Sequence, residues 1–380
     1  MPDYCFSIDP VDPLLFGDNR SARAGSDHLQ LDQDPSPLTI HGALGRFIET
    51  GNAGKGWPTD TLGPRVEDIL SVGHSGQLAE LLGYTFRDDK GQRWYPRPLH
   101  FRFKSIGRSL FQAGLLFPKP APGPWAKSSC EFDHYLIADE IEEPEETLLV
   151  SENLLAEILC GRPFQSIDLE KHGYVRRISD IFRPEPRGGI GMDNDSNSVE
   201  QGMLFTRPYR RFSTGSSPSR TLSHGFDAWM RTLAPLPDGF SGKIGFLGGD
   251  RRRARFFVEP VTGAAGPLDA MLKKVANAAG KAKGFLLYFL TPFVSSVAPL
   301  QVMGLPALAS ATGKPQCCSG WNGATGAPRP ILALVPAGSV FFFEWPQGEE
   351  KTSLVASSWL SSFCAGSAAG FGRALVGVWQ

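Results

Sequence analysis

The chain has 380 residues, with 43 Gly, 31 Pro and 41% hydrophobic residues, and a formal net charge of −1. That composition excludes a disordered low-complexity chain and predicts a loop-rich globular protein long enough for two domains. The near-zero charge argues against nucleic acid only if charge is evenly spread, because binding depends on local fields. It is not evenly spread: residues 90–127 hold eight bases and no acid, and residues 131–157 hold ten acids and no Lys or Arg.

The six cysteines show no metal-ligand spacing and contain no CxxC pair. Reduced thiols in the cytoplasm are the simplest account, and MPDYCFSIDP lacks the basic start and apolar run of a signal peptide. The uncharged stretch between Lys283 and Lys314 is interrupted by Pro292, Ser295, Ser296 and Pro299, so it reads as buried strand plus loop and no membrane partner is expected.

In chain order, residues 4–8 read as a strand, followed by the loop PVDPLLFGDNRSARAG. Ile40, Ala43, Leu44, Phe47 and Ile48 recur at helical spacing after Pro35, Ser36 and Pro37. Residues 66–82 read as a broken helical stretch. Alternation in HFRFK predicts a strand or hairpin with one basic face, and Ser151–Cys160 a short helix with Leu154, Leu155, Ile158 and Leu159 inward. Strands are expected at Ile244–Phe246 and Phe256–Glu259, around GGDRRRAR. A helix follows at 267–279, then buried strands in KGFLLYFLTPF and SVFFFEW, a last helix, and a Gly-rich loop leading into a terminal strand. This order predicts an α+β architecture with helices on one face of a mainly antiparallel sheet. Two βαββαβ ferredoxin-like units fit the length, with a boundary near residue 198 (1–198 and 199–380).

Several chemistries are missing from the sequence. No Gly-Lys pair completes a phosphate-binding P-loop, and there is no GxSxG or HExxH. Gly248-Gly249-Asp250 could open a metal-holding turn, but Arg251, Arg252 and Arg253 follow at once and would repel a cation. The turn therefore reads as an anion site. The acidic stretch 131–157 reads as a solvated loop or a face for a basic partner. No cofactor is expected.

Three features suit an RNA backbone. The first is the start of the helix near Ser36, whose free N–H groups offer a phosphate site, with Ser36 and Thr39 as extra donors; plain N-capping is the competing reading. The second is the loop Gly366–Gly372, where Gly370 and Gly372 would let successive N–H groups form an anion nest, with Phe371 free to stack on a base; a plain flexible connection is the alternative. The third is the set of arginine clusters 176, 177, 183 and 187; 207, 210 and 211; and 251, 252, 253 and 255, because Arg pairs with phosphate and stacks on bases.

SPLTIHGALGRFIE resembles the first-helix motif of the RAMP superfamily of CRISPR proteins. RGGIGMDNDSNSVEQGMLFT, LGGDRRRARF, LYFLTPF and GFGRALVGVW together resemble one subgroup, the third subunit of the type III-B Cmr complex, over nearly the whole chain. The resemblance implies two ferredoxin-like (RRM-like) domains with inserted loops. It implies a non-catalytic subunit that grips the 5′ handle of the crRNA and joins the large polymerase-like (cyclase) subunit to the backbone subunit. Carried over, Ser36, Thr39, His41, Arg46, Gly370, Gly372 and Arg373 would face the RNA. The loop Arg187–Asp193, with Gly189 and Gly191, would lie near the handle or a neighbouring subunit, and Arg251 and Arg252 add anion-binding charge. Two alternatives stand beside this reading. One is a guide-processing endoribonuclease of the same superfamily with His28 or His41 as acid/base; the other is a scaffold that meets protein partners only.

Overall fold

A computed structural model of the chain describes residues 3–16, 35–52, 79–106, 109–120, 134–136, 147–162, 169–193, 198–213, 224–232, 235–236, 238–261, 268–294, 300–302, 304–318, 321–322, 327–328, 331–364 and 366–380. His28 and most of the acidic stretch lie outside these residues.

Strand β1 (Asp3–Pro10) alternates, sending Tyr4, Phe6 and Ile8 into one core. Helix α1 (Pro37–Asn52) covers that face through Ile40, Leu44, Phe47 and Ile48, with the Phe47 ring stacked on Phe256 at 4.4 Å. The stripe follows the helical period read from the sequence, and Pro37 sits at the first helical position, where its missing N–H costs nothing.

Strand β2 (Glu80–Arg87) occupies the end of the stretch expected to be helical. In the sequence, Leu78, Leu81 and Leu82 do recur at helical spacing. Yet residues 81–87 are buried on both faces, and the run Tyr84, Thr85 and Phe86 favours a pleated strand. Asp88 then turns the chain by accepting the N–H groups of Lys90 and Gln92, both at 2.9 Å, and β3 (Arg93–Pro96) pairs back. Strands β4 (Phe101–Ile106) and β5 (Ser109–Leu115) form the hairpin expected from HFRFK, with Phe101 and Phe103 buried and Arg102 half-buried. Strand β6 (Leu148–Ser151) leads into α2 (Glu152–Leu159), where Ser151 caps the helix by accepting the Leu154 N–H. Strand β7 is Val175–Arg177.

Strands β8 (Phe182–Asp193) and β9 (Ser198–Phe212) make a long two-stranded ribbon. The expected loop Arg187–Asp193 is therefore strand. Gly188, Gly189 and Ile190 pair with Thr206, Phe205 and Leu204, so the glycines belong to a backbone ladder. Strands β10 (Gly225–Arg231), β11 (Lys243–Phe246) and β12 (Arg253–Pro260) complete an eight-stranded antiparallel sheet, in the order β11-β12-β1-β10-β2-β3-β6-β7. Strand pairing thus crosses residue 198: β10 and β12 flank β1.

The remaining chain builds a second sheet. Helix α3 (Asp269–Ala279) precedes β13 (Gly284–Phe289). Strands β14 (Ala309–Ala311) and β15 (Val340–Glu344) follow, then α4 (Lys351–Ser358) and β16 (Ala374–Trp379), in the order β14-β15-β13-β16. Its core, with Phe285, Tyr288, Phe289 and Phe342 all fully buried, is continuous with α2 and with Tyr95 and Phe101. The architecture is α+β: large antiparallel sheets with few helices. No helix among the described residues is long and apolar enough to cross a membrane.

Candidate nucleic-acid interface

With one stripe of α1 buried, its other side carries Thr39, Gly42, Ala43 and Arg46. These residues, spaced three or four apart, form one wall of a groove of about 500 Å³. Leu15, Phe16 and Leu38 line it too, and Phe246, Gly248 and Gly249 come from the β11–β12 turn. Gly249 N–H donates to the Leu15 carbonyl at 2.8 Å. Gly248 has φ 78°, and a Cβ there would sit 2.5 Å from that same oxygen, so the turn can close on the groove only with glycine.

Beyond the turn stands an arginine–tyrosine cluster. Asp250 accepts two bonds from Arg207 Nη1, at 2.8 and 2.7 Å, and one from the Tyr209 hydroxyl at 2.5 Å. The Tyr209 bond first, and then Arg207, hold its carboxyl below the usual range. Arg252 Nη2 donates to the Tyr209 oxygen at 2.8 Å, and the guanidiniums of Arg252 and Arg187 lie over the Tyr209 ring at 4.5 and 4.9 Å. Asp250 is thus the anion that this turn already holds. Among the described residues no group of three His, Cys, Asp or Glu is placed to bind a metal.

The expected site residues divide sharply. Arg46 is exposed on the groove, and Arg251 is exposed with no ion-pair partner among the described residues. Thr39 lines the groove half-buried. Ser36 acts as a cap: its Oγ accepts the Thr39 N–H at 3.3 Å and lies 3.1 Å from the Thr39 hydroxyl, which is the competing reading named above. Arg187 is held by Glu185, Arg252 by Tyr209, and Gly189 and Gly191 lie within β8.

Four expectations are corrected. His41 is 7% exposed, with Nε2 3.1 Å from the Ala79 carbonyl oxygen, and burial lowers its pKa; it faces the interior rather than a ligand. Phe371 is fully buried and cannot stack on a base. The glycine loop forms no anion nest, because its N–H groups are used internally: Gly370 donates to Ser367 O, Phe371 to Gly366 O, and Gly372 to Pro292 O. Its glycines fit protein instead. Cβ atoms at Gly370 and Gly372 would lie 2.7 Å from Leu81 Cδ2 and 2.5 Å from Cys364 Sγ. Arg373 is 4% exposed and donates to the carbonyls of Leu81, Leu360 and Ser367 and to Glu80, so it staples the terminal strand to β2.

A second concavity escaped the sequence reading. A cavity of about 540 Å³ that includes Ser36 in its wall is lined by Arg97, Arg210 and Lys314, with no carboxylate among its described lining residues. Arg210 is 5% exposed and lies over the Phe182 ring at 4.6 Å. Lys314 had no motif around it, and only the fold brings it to arginines 104 and 217 positions earlier.

The fold and this surface define an α+β protein with a groove along α1 that holds Arg46 and a basic cavity at the helix start lined by Arg97, Arg210 and Lys314. The chain belongs to the family described as CRISPR-associated protein (Cas_Cmr3), whose model matches residues 6–379. No curated protein sequence matches it. Among solved structures it is similar to a chain of the type III-B Cmr-beta complex bound to cognate target RNA, at 18% identity and TM-score 0.47, covering 89% of this chain and 86% of the other. A chain of that complex with target RNA and AMPPnP gives 17% identity and TM-score 0.45, covering 92% and 87%. A chain of its apo state gives 12% and 0.28, covering 68% and 97%.

Proposed function

We propose that the chain is a non-catalytic subunit of a type III-B CRISPR ribonucleoprotein in the cytoplasm. In this reading it holds the 5′ handle of the guide RNA and bridges the large polymerase-like subunit and the backbone subunit. The observation that carries the RNA reading is the open groove of α1, where exposed Arg46 and backbone-bare Gly42 face the Gly248-Gly249 turn, with exposed Arg251 beside it. Family membership supplies the setting. The order β12-β1-β10-β2, with α1 between β1 and β2, supports a first ferredoxin-like unit completed by residues beyond 198. In the complex, base pairing reads the target while protein reads backbone and handle.

A ribonuclease acid/base role for His41 is disfavoured by its burial and its hydrogen bond to Ala79. Affinity for guides with and without the handle, measured at several salt concentrations, tests the proposal. Tighter binding of the handle-containing guide, weakened by Arg46→Ala, is expected. Equal affinity for both guides at every salt concentration refutes handle recognition.

A further inference from the structure

Strand β11 is the outermost strand of the eight-stranded sheet, with only β12 beside it. The face of this sheet that α1 covers carries Phe6, Ile8, Ala254 and Phe256. Alternation puts the intervening residues on the opposite face. The register aligns them there: Phe246 lies across from Arg253, Ile244 and Asp9 from Arg255, and Ser7 from Phe257. Ile244 and Phe246 are 54% and 52% exposed, Arg253 and Arg255 are exposed, and Phe257 is half-buried. Two phenylalanines thus stand on adjacent strands of one face with arginines between them.

Phe246 joins this face to the groove. Standing on the edge strand, it also lines the α1 groove, whose described lining residues include no carboxylate. Leu247 N–H donates to Arg252 O at 2.8 Å, and antiparallel ladders alternate, so the N–H of Phe246 points out of the sheet edge. The charge beyond the edge is positive. Arg253 is matched by Asp12 at 3.0 Å, while Arg255 has no ion-pair partner among the described residues. Asp9, across from Arg255, is buried and bonded to Arg87. The exposed carboxylate of the face is Glu259, at the far end of β12, two residues past Phe257.

We infer that RNA held in the α1 groove turns round the β11 edge at Phe246 and continues over the sheet face opposite α1. An unpaired base stacks on the Phe246 ring and Arg255 takes a phosphate. Phe257 offers a second, shallower platform before Glu259 repels the backbone and ends the surface. This rests on the RNA reading of the groove and adds a path and a base-binding residue to it. Ile244 and, across β12, Val11, 49% exposed, also suit a protein partner. The two rings, the exposed Arg255 and the continuity with the groove through Phe246 favour RNA.

The test uses the full chain, a guide RNA with its handle, and a set of the same guide in which each member lacks one base. Fluorescence anisotropy gives the affinities. With the parent protein, removal of one particular base is expected to weaken binding by about tenfold. Phe246→Ser is expected to weaken the intact guide by a similar factor and to erase that penalty, because no stack is left to lose. Arg255→Gln is expected to make the slope of log K against log salt shallower by about 0.7. Both side chains stand at the surface, so the melting temperature is expected to stay at the parent value. If Phe246→Ser does not fold, Phe246→Leu keeps an apolar side chain without the ring, and the same erased penalty is expected. The inference is overturned, with the groove reading intact, if Arg46→Ala weakens binding while every single-base penalty survives the loss of the Phe246 ring, or if Arg255→Gln leaves the salt slope unchanged. Unchanged RNA affinity with weakened assembly onto the other subunits assigns the face to protein and overturns it as well. If the parent binds no guide RNA, both readings fall.

Discussion

Arg373 separates the sequence reading from the structural one most cleanly. It follows a glycine-rich loop near the end of the chain and was expected to face RNA, yet its guanidinium is spent inside the protein. Nε donates to Leu81 O at 3.0 Å, Nη1 to Leu360 O at 3.0 Å, and Nη2 to Ser367 O at 2.7 Å and to Glu80 at 2.5 Å. Arg373→Met keeps most of the stem and deletes every donor. Each stranded buried carbonyl costs about 1–3 kcal/mol; the pair with Glu80, 29% exposed and also 3.6 Å from Arg231, adds less than a fully buried one, and because the losses overlap they come to about 3–5 kcal/mol in all. Against a total stability of about 5–15 kcal/mol, such a loss moves the unfolding midpoint visibly. Urea unfolding of parent and variant measures it, and fluorescence anisotropy with guide RNA, well below the melting point, measures binding by the folded fraction. The expected result is a protein less stable by about 3–5 kcal/mol with the parent's RNA affinity. A variant of full stability and weakened RNA binding would refute the staple and return Arg373 to the interface.

Two further outcomes follow from the described geometry. A Cβ at Gly42 meets nothing within 4 Å, so Gly42→Ala is expected to stabilise α1 by about 0.5–1 kcal/mol, while the bulkier Gly42→Glu weakens RNA binding; unfolding curves and anisotropy check both. His100 is fully buried beside Phe342, neither ring nitrogen has a hydrogen-bond partner among the described residues, and burial pulls its pKa down to about 3. A base lowered in the folded state takes up its proton preferentially on unfolding. Stability should therefore fall as pH drops below about 6.5, by about 1.4 kcal/mol per pH unit, until about pH 3. His100→Leu, close in volume, should flatten that slope between pH 6.5 and 5 in urea titrations; burial also lowers His41 and His224, which keep a residual slope of the same sign.

Regular elements with a clean period were legible in the sequence. The stripe of α1, the HFRFK hairpin and the GGD turn between two strands all stand where the residues placed them, because each is fixed by local alternation or a local cap. Three things were not legible. Leu78, Leu81 and Leu82 stand at helical spacing, and only pairing with β10 decides for a strand from Glu80 on. The glycines of 187–193 looked like loop because glycine also permits the tight ladder of a long ribbon. Strand order was hidden too, since nothing local reveals that β10 and β12, more than 200 residues downstream, flank β1. The site divided the same way. Arg46 is exposed because it lies off the apolar stripe. His41 also lies off it, but is buried against Ala79, a contact that depends on how the chain re-enters before β2.

Charge counting changes most once partners are known. The sequence offers eleven clustered arginines, and eleven phosphate contacts would give log K against log salt a slope of about −8, at about −0.7 per contact on single strands. The fold engages most of them. Arg176 lies over Trp94 and reaches Asp88; Arg177 pairs with Glu170; Arg187 and Arg211 share Glu185; Arg207 holds Asp250; Arg252 holds Tyr209; Arg253 pairs with Asp12; and Arg210 is buried. A phosphate that takes an arginine from a carboxylate leaves that carboxylate to recruit its own cation, so no counterion is released on balance. Arg183, Arg251 and Arg255 remain exposed without carboxylate partners among the described residues, and Arg46 in the α1 groove adds a fourth exposed arginine. The expected slope is therefore between about −2 and −3 for the isolated chain. Dissociation constants for one guide RNA across a salt series give it directly. A slope steeper than about −5 would mean that RNA dismantles the arginine–carboxylate pairs, and that the ribbon β8–β9 rather than the α1 groove carries the backbone.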